Sequence, residues 1–190
     1  AGYHGLVSDC LNQWLGEHSL VGGDTVIYAC GPEAMLARMR DATWWQDESD
    51  SFVARTSMAA AQWLEENCGA QDFLLWVDCF DPHEPWDSPP EFVKMYDTTP
   101  GYDGRIDPRA FYSEPIPKGM SEAAIRRKKA LYAAKVTWMD HWFGKFLEAF
   151  EETGLSKNTA LLVTADHGTN VGEWGRFGKG HPVHDTEAHV

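Results

Sequence analysis

The chain has 190 residues, 43% of them hydrophobic, enough for one domain with a sizeable core. Its 29 acidic residues outweigh 16 basic ones, giving a net charge of -13 that argues against nucleic-acid binding, and the only basic run, Arg126-Arg-Lys-Lys129, reads as the solvated start of a helix. No apolar stretch is long enough to cross a bilayer, and the N-terminus has no charged-then-apolar leader, so no membrane partner is expected. Cys10, Cys30, Cys68 and Cys79 show no metal-ligand spacing. Cys30 and Cys79 end apolar runs, so buried free thiols in a reducing, cytoplasmic setting are expected.

Residues 1–40 read as a small unit of their own. Gly5 to Leu15 has helical apolar spacing, Gly22-Gly-Asp24 makes a turn, Thr25 to Cys30 is a strand, and Gly31-Pro32 opens a helix through Met39. From the residues alone this is half of a βα unit. Gly2-Tyr-His-Gly-Leu-Val-Ser-Asp9 and Tyr28-Ala-Cys-Gly-Pro-Glu-Ala-Met35 together resemble the C-terminal part of ferredoxin-reductase-like proteins, closest to the electron-transfer subunit of dihydroorotate dehydrogenase. In that family the Cys-Gly-Pro turn lies beside the nicotinamide and flavin. The family's flavin barrel, earlier glycine-rich turn and iron–sulfur cysteines are not found, so the segment is expected to be a remnant or fusion scar of different origin.

From Asp41 the character changes. Asp50 or Ser51 caps a helix whose apolar stripe is Phe52, Thr56, Ala59, Ala60, Trp63 and Leu64, ending at Cys68-Gly69. Phe73-Leu-Leu-Trp-Val77 is a strand apolar enough to be buried on both faces. It runs into Asp78, Asp81, His83, Glu84, Trp86 and Asp87, where Pro82, Pro85, Pro89 and Pro90 forbid helix or central strand.

Glu91 to Lys118 is long and irregular, with Tyr96, Tyr102 and Tyr112 either packing the loop or lining a substrate entrance. Ser121 caps a long helix with a seam of Tyr132, Val136, Met139, Phe143, Phe146 and Phe150, ended by Gly154. Asp140 and His141 fall inside it, where adjacent side chains diverge by about 100°, and are read as structural. Ala160 to Val163 is a second doubly buried strand, handing over to Asp166-His167-Gly168. Ligands sit beyond the carboxyl ends of parallel strands, and an Asp-His pair freed by a following glycine can turn towards one metal ion. Thirteen residues past Asp166, Lys179 lies between Gly178 and Gly180, able to approach an oxyanion, with His181 beyond. Helix, strand, long loop, helix, strand is the order of a parallel, helix-flanked sheet.

The Asp166-His167-Gly168 and Gly178-Lys179-Gly180 motifs resemble the C-terminal metal half-site of the sulfatases, within the alkaline phosphatase superfamily. The stretch from Phe73 through Asp81-Pro-His-Glu-Pro-Trp86 is also similar to that family. The likeness covers about Trp44 to Val190 and implies an α/β fold, a partial and truncated alkaline-phosphatase-like sheet in 41–190 behind the separate 1–40 segment. It further implies Asp166 and His167 as ligands of a divalent metal, calcium first, with manganese, magnesium or zinc as alternatives. Lys179 and His83 would meet the oxyanion of a small sulfate, phosphate or phosphonate ester. His181 is a further substrate-binding candidate; from the residues, either His83 or His181 could protonate a leaving oxygen or only hold the group.

Sulfatases also use an N-terminal pair of Asp ligands and a Cys/Ser-x-Pro-x-Arg motif whose oxidised residue is the nucleophile. None of the four cysteines here has proline at the second following position and arginine at the fourth. The chain as it stands is therefore expected to be an inactive or crippled hydrolase. The alternatives are a redox accessory fragment, carried by Cys30-Gly-Pro32 alone, and a non-enzymatic anion-binding protein.

Overall fold

The computed structural model describes residues 26–27, 47–99, 114–180 and 182–190. It divides into two compact units, Ala1–Asp81 with Met139–Ala160, and Pro82–Trp138 with Leu161–Val190.

In the first unit, strands β1 (Val26–Ile27) and β2 (Leu74–Leu75) pair in parallel, Val26 opposite Leu74 and Ile27 opposite Leu75. Both lie inside the runs predicted as strands, and their parallel pairing agrees with the α/β class. Helix α1 (Phe52–Glu66) is capped by Ser51, whose hydroxyl accepts from Ala54 N–H at 3.3 Å. Its buried stripe is Val53, Ala54, Ser57, Ala60, Trp63 and Leu64. The sequence places Phe52, Thr56 and Ala59 there instead; the helix is rotated so that small residues of the first turns face inwards. Asn67 ends it, donating backbone and side-chain N–H to the Trp63 carbonyl. Ala60, Trp63 and Leu64 pack with Phe146, Phe150 and Leu155, and Trp63 meets Phe73 edge-on at 5.1 Å. Each such fully buried side chain stabilises by about 1.5–3 kcal/mol.

Two expectations for strands are corrected. Leu74 is 59% and Trp76 53% exposed, so β2 is not buried on both faces. Residues 160–163 form no strand at all, with Leu162 86% and Val163 67% exposed. A strand is stable only when its backbone groups are paired, and among the described residues no neighbour pairs this run. The argument for a site shared at one end of a single sheet therefore fails. Of the two cysteines expected to be buried, Cys79 is only half-buried and Cys30 lies outside the described residues; Cys68 is exposed, and neither Cys68 nor Cys79 is in a disulfide.

In the second unit, β3 (Glu114–Pro115), β4 (Asn170–Val171) and β5 (Arg176–Gly178) form an antiparallel sheet in the order β3-β5-β4. Asn170 pairs with Gly178 and Val171 with Phe177, so the residues between the two glycine motifs make a hairpin that no alternating pattern announces. A short helix, α2 (Pro90–Lys94), corrects the reading that Pro90 forbids helix and that the stretch from Glu91 is irregular: proline is accepted at the first helical position, where its missing N–H is needed by no partner. Tyr96, 48% exposed, bonds Thr137 through its hydroxyl; Tyr102 and Tyr112 lie outside the described residues.

Helix α3 (Glu122–Glu152) runs through both units, and Ser121 caps it, accepting from Ala124 N–H at 3.2 Å. Phe146 and Phe150 of the predicted seam are buried, but Tyr132, Val136, Met139 and Phe143 are only half so. The buried face is instead Leu131, Ala134, Trp138, Trp142, Phe146 and Ala149, one residue round. The shift is permitted because Lys128 and Lys135, charged and apparently surface-bound by sequence, are themselves buried at 5% and 4% exposure. Lys135 meets the Asp87 carboxylate at 2.8 Å and lies 4.8 Å over the Trp138 ring; Lys128 lies 5.1 Å over Phe177. Around them Trp86, Val93, Leu131, Ala134 and Phe177 form the core of this unit.

Breaking the buried pair by Lys135→Met leaves Asp87 charged and unmatched, and is expected to destabilise by about 3–5 kcal/mol in urea unfolding. A gentler, pH-dependent contribution comes from Asp97. Burial works against its charge, but hydrogen bonds from Thr99 and the Arg127 guanidinium at 2.9 Å outweigh it and hold the carboxyl below its ordinary range. A lowered folded-state value stabilises above the unfolded-state value and is lost as pH falls through the folded one. Asp97→Asn should therefore flatten the loss of thermal stability below about pH 4, read as melting temperature against pH.

Candidate functional site

The turn carrying His83 is fixed from below. Trp86, 1% exposed, packs edge-on against Tyr132 at 5.4 Å, and the neighbouring Asp87 is tied to Lys135. Next to this anchored end the Glu84–Pro85 peptide is cis and His83 is half-buried. His83 Nδ1 lies 2.7 Å from the Glu84 carbonyl oxygen and 3.1 Å from its carboxylate. Both are acceptors, so Nδ1 carries a proton and the ring is oriented by Glu84.

The same carboxylate faces Lys179, whose Nζ stands 4.0 Å from Glu84 Oε2. Glu84, to which the sequence assigned no role, thus brings the two predicted oxyanion contacts together. Burial, with the negative charge of Glu84 and Glu173 behind it, pushes the Tyr132 hydroxyl up, leaving it a neutral donor beside this carboxylate.

Lys179 follows β5 directly, with Gly178 at φ 81° and Gly180 at φ 144° on either side. These are conformations that side-chain-bearing residues rarely adopt, which gives the glycine spacing its physical reason. Asp166 and His167 stand on the other limb. The Asp166 carboxylate accepts the His167 backbone N–H at 2.9 Å and is 88% exposed. His167 Nδ1 lies 2.9 Å from the Gly168 carbonyl, an acceptor, so Nδ1 carries a proton and Nε2 is the ring nitrogen that could ligate a metal. Nε2 lies 3.7 Å from Asp166 Oδ2, a separation that two atoms each about 2.0–2.4 Å from one cation span at an open angle. The donor set fits a shared divalent ion. Among the described residues, no group of three or more His, Cys, Asp and Glu is gathered for a metal, so the pair is two ligands and not a closed cage.

A second carboxylate joins the two limbs. Glu187, on the short C-terminal helix α4 (Asp185–Ala188), is 5% exposed. Gly180 N–H donates to its Oε2 at 3.1 Å and the Asn170 amide to its Oε1, while Gly168 N–H donates to its main-chain carbonyl at 2.8 Å. Asn170, 1% exposed, also donates to the Gly178 carbonyl at 3.0 Å and accepts from the Thr186 hydroxyl. The Gly180 N–H foremost, against burial, and then Asn170, His184 and Arg176 hold the Glu187 carboxyl below its ordinary range. Gly168 approaches α4 so closely that a Cβ would stand 2.2 Å from the Thr186 carbonyl oxygen. Contacts therefore run without a break from His83 through Glu84 to Lys179, and through Gly180 and Glu187 to Gly168 and the Asp166–His167 pair.

His181 lies outside the described residues. Asp140 and His141 are exposed on α3, with His141 edge-on to Trp142 at 5.4 Å, in keeping with their structural reading. Glu187 and Asn170 were missed because neither carries a local signal: each is buried only by closure of the chain over the hairpin. Glu84 had the one usable cue, a carboxylate beside a proline-stiffened histidine.

The Sulfatase family model matches residues 1–189. The match takes in residues 1–40 too, and the reductase likeness of that stretch is not shown. An arylsulfatase of Clostridium perfringens is 26% identical over 171 residues, 85% of this chain and 33% of that protein. Human iduronate 2-sulfatase is 28% identical over 154 residues, 69% of this chain and 28% of its own length. A choline-sulfatase of Rhizobium meliloti is 22% identical over 145 residues, covering 70% and 28% respectively. The chain thus spans about a third or less of the relatives it matches. Matched along nearly its whole length, it belongs to the sulfatase family.

Proposed function

We propose that this chain supplies the oxyanion-binding and metal-binding limbs of a hydrolase acting on small sulfate esters, with phosphate or phosphonate esters as the neighbouring chemistry. The observation that carries the reading is the joining of His83 and Lys179 on the Glu84 carboxylate, in continuity with Asp166 and His167. Asp166 and His167 would hold a divalent cation, calcium in the first place, and that cation when bound supplies positive charge to the transferring group.

The remaining work is done by this chain's own groups. Lys179, one-third exposed and 4.0 Å from Glu84, would present its ammonium to an incoming oxyanion. His83, with Nδ1 committed to Glu84, would meet the ester oxygen through Nε2, and can hold or protonate it there only as the doubly protonated ring. Asp166 keeps the His167 backbone in place, and the Gly168 carbonyl keeps its ring turned for ligation. No Cys-x-Pro-x-Arg sequence for an oxidised nucleophile occurs in these 190 residues, so by itself the chain binds the ester group and turns it over near background.

Calorimetry with inorganic sulfate and with calcium tests both limbs. Lys179→Ala should weaken sulfate by roughly 1.5–3 kcal/mol, the scale of a charge-assisted hydrogen bond, and leave calcium little changed. Asp166→Asn should do the reverse, lowering calcium affinity through loss of a carboxylate ligand. Calcium affinity indifferent to Asp166→Asn would remove the metal assignment, and vigorous arylsulfatase activity would show a nucleophile of another kind.

A further inference from the structure

We propose that Glu187 is a positioning residue of this site: it ties the Asp166-His167-Gly168 corner to the Gly178-Lys179-Gly180 turn and so sets where the Lys179 ammonium stands. The inference rests on the reading of Lys179 as an anion contact.

Three donors from two separate loops converge on this one residue. Gly180 N–H and the Asn170 amide each take one oxygen of the carboxylate, and Gly168 N–H takes the main-chain carbonyl. The amide of Asn170 reaches both the carboxylate and the Gly178 carbonyl, so the glycines on either side of Lys179 are held by one connected group. Glu187 and Asn170 are 5% and 1% exposed, which keeps water from substituting for a lost partner. Both carboxylate oxygens face donors, so the position demands a group that only accepts. Glutamine has the same shape but offers one oxygen and one NH2, and must turn a donor on either Gly180 or Asn170. Aspartate keeps two acceptors and loses reach.

The inorganic sulfate titration of the full chain, run as a double-mutant cycle, separates this role from general scaffolding. Glu187→Gln should raise the sulfate dissociation constant about tenfold in the wild-type background and leave it unchanged in the Lys179→Ala background, with Glu187→Asp between. Equal weakening in both backgrounds, or none in either, overturns the proposal. Amide hydrogen exchange reads the tie without any anion: Gly168 and Gly180 should both be protected in the wild type, and in Glu187→Gln the Gly180 amide, bonded to the carboxylate, should lose protection while Gly168, bonded to the main-chain carbonyl, keeps it. If that variant does not fold, the wild type decides alone, since unprotected Gly168 and Gly180 amides overturn the proposal and protected ones support it. If the wild type binds no sulfate, the anion reading falls by itself, and loss or retention of Gly180 protection in Glu187→Gln still keeps or discards the tie.

Discussion

A carboxylate taken out of water has to be supplied with donors, and the site is arranged around how Glu187 obtains them. Its partners are backbone and amide N–H groups from both sides of a hairpin, so satisfying one buried charge fixes the relative register of two loops. The close approach this requires explains Gly168, where any side chain would run into the Thr186 carbonyl. Glu84 is the looser counterpart. At 14% exposure it stands 4.0 Å from Lys179. A tight pair there would compete with any bound anion, while a distant one would leave Lys179 unoriented.

The other demand on the unit is that α3 present two buried lysines to its core. Lys135 is matched by Asp87, next in sequence to the Trp86 that anchors the histidine turn. A buried ion pair is seldom a net gain over an apolar pair of the same size. Its effect here is directional: it holds residue 87 at one point along α3, and the His83–Glu84 turn, three residues upstream, inherits that placement.

Much of this was legible in the chain, and unevenly so. Ser51 and Ser121 announced both long helices because a cap is a local interaction between neighbours in sequence. Asp166, His167, Lys179 and His83 stood out in the chain as residue types at a spacing. The buried faces of α1 and α3 were each misplaced, because periodicity counts apolar residues while the real faces include Ser57, Lys128 and Lys135. A lysine whose stem is apolar and whose head meets a carboxylate or an aromatic face is a core residue in all but name. Glu187 and Asn170 were not legible at all, since their partners lie 7 to 19 residues away across a hairpin.

The run from Ala160 to Val163 marks the limit of pattern reading from the opposite direction. Its composition states the surroundings a strand would want, two apolar faces and paired backbone on both sides, and says nothing about whether those surroundings are present. In the described residues they are not, and Leu162 and Val163 face solvent. Yet the corner that follows is well determined. Gly168 is held from the C-terminal side, by the Glu187 carbonyl, and His167 is oriented by Gly168. The position of Asp166 and His167 therefore depends on the hairpin and α4 and not on a strand leading into them. The sequence singles out this pair for standing at the end of an apparent strand, and the structure replaces that support with another.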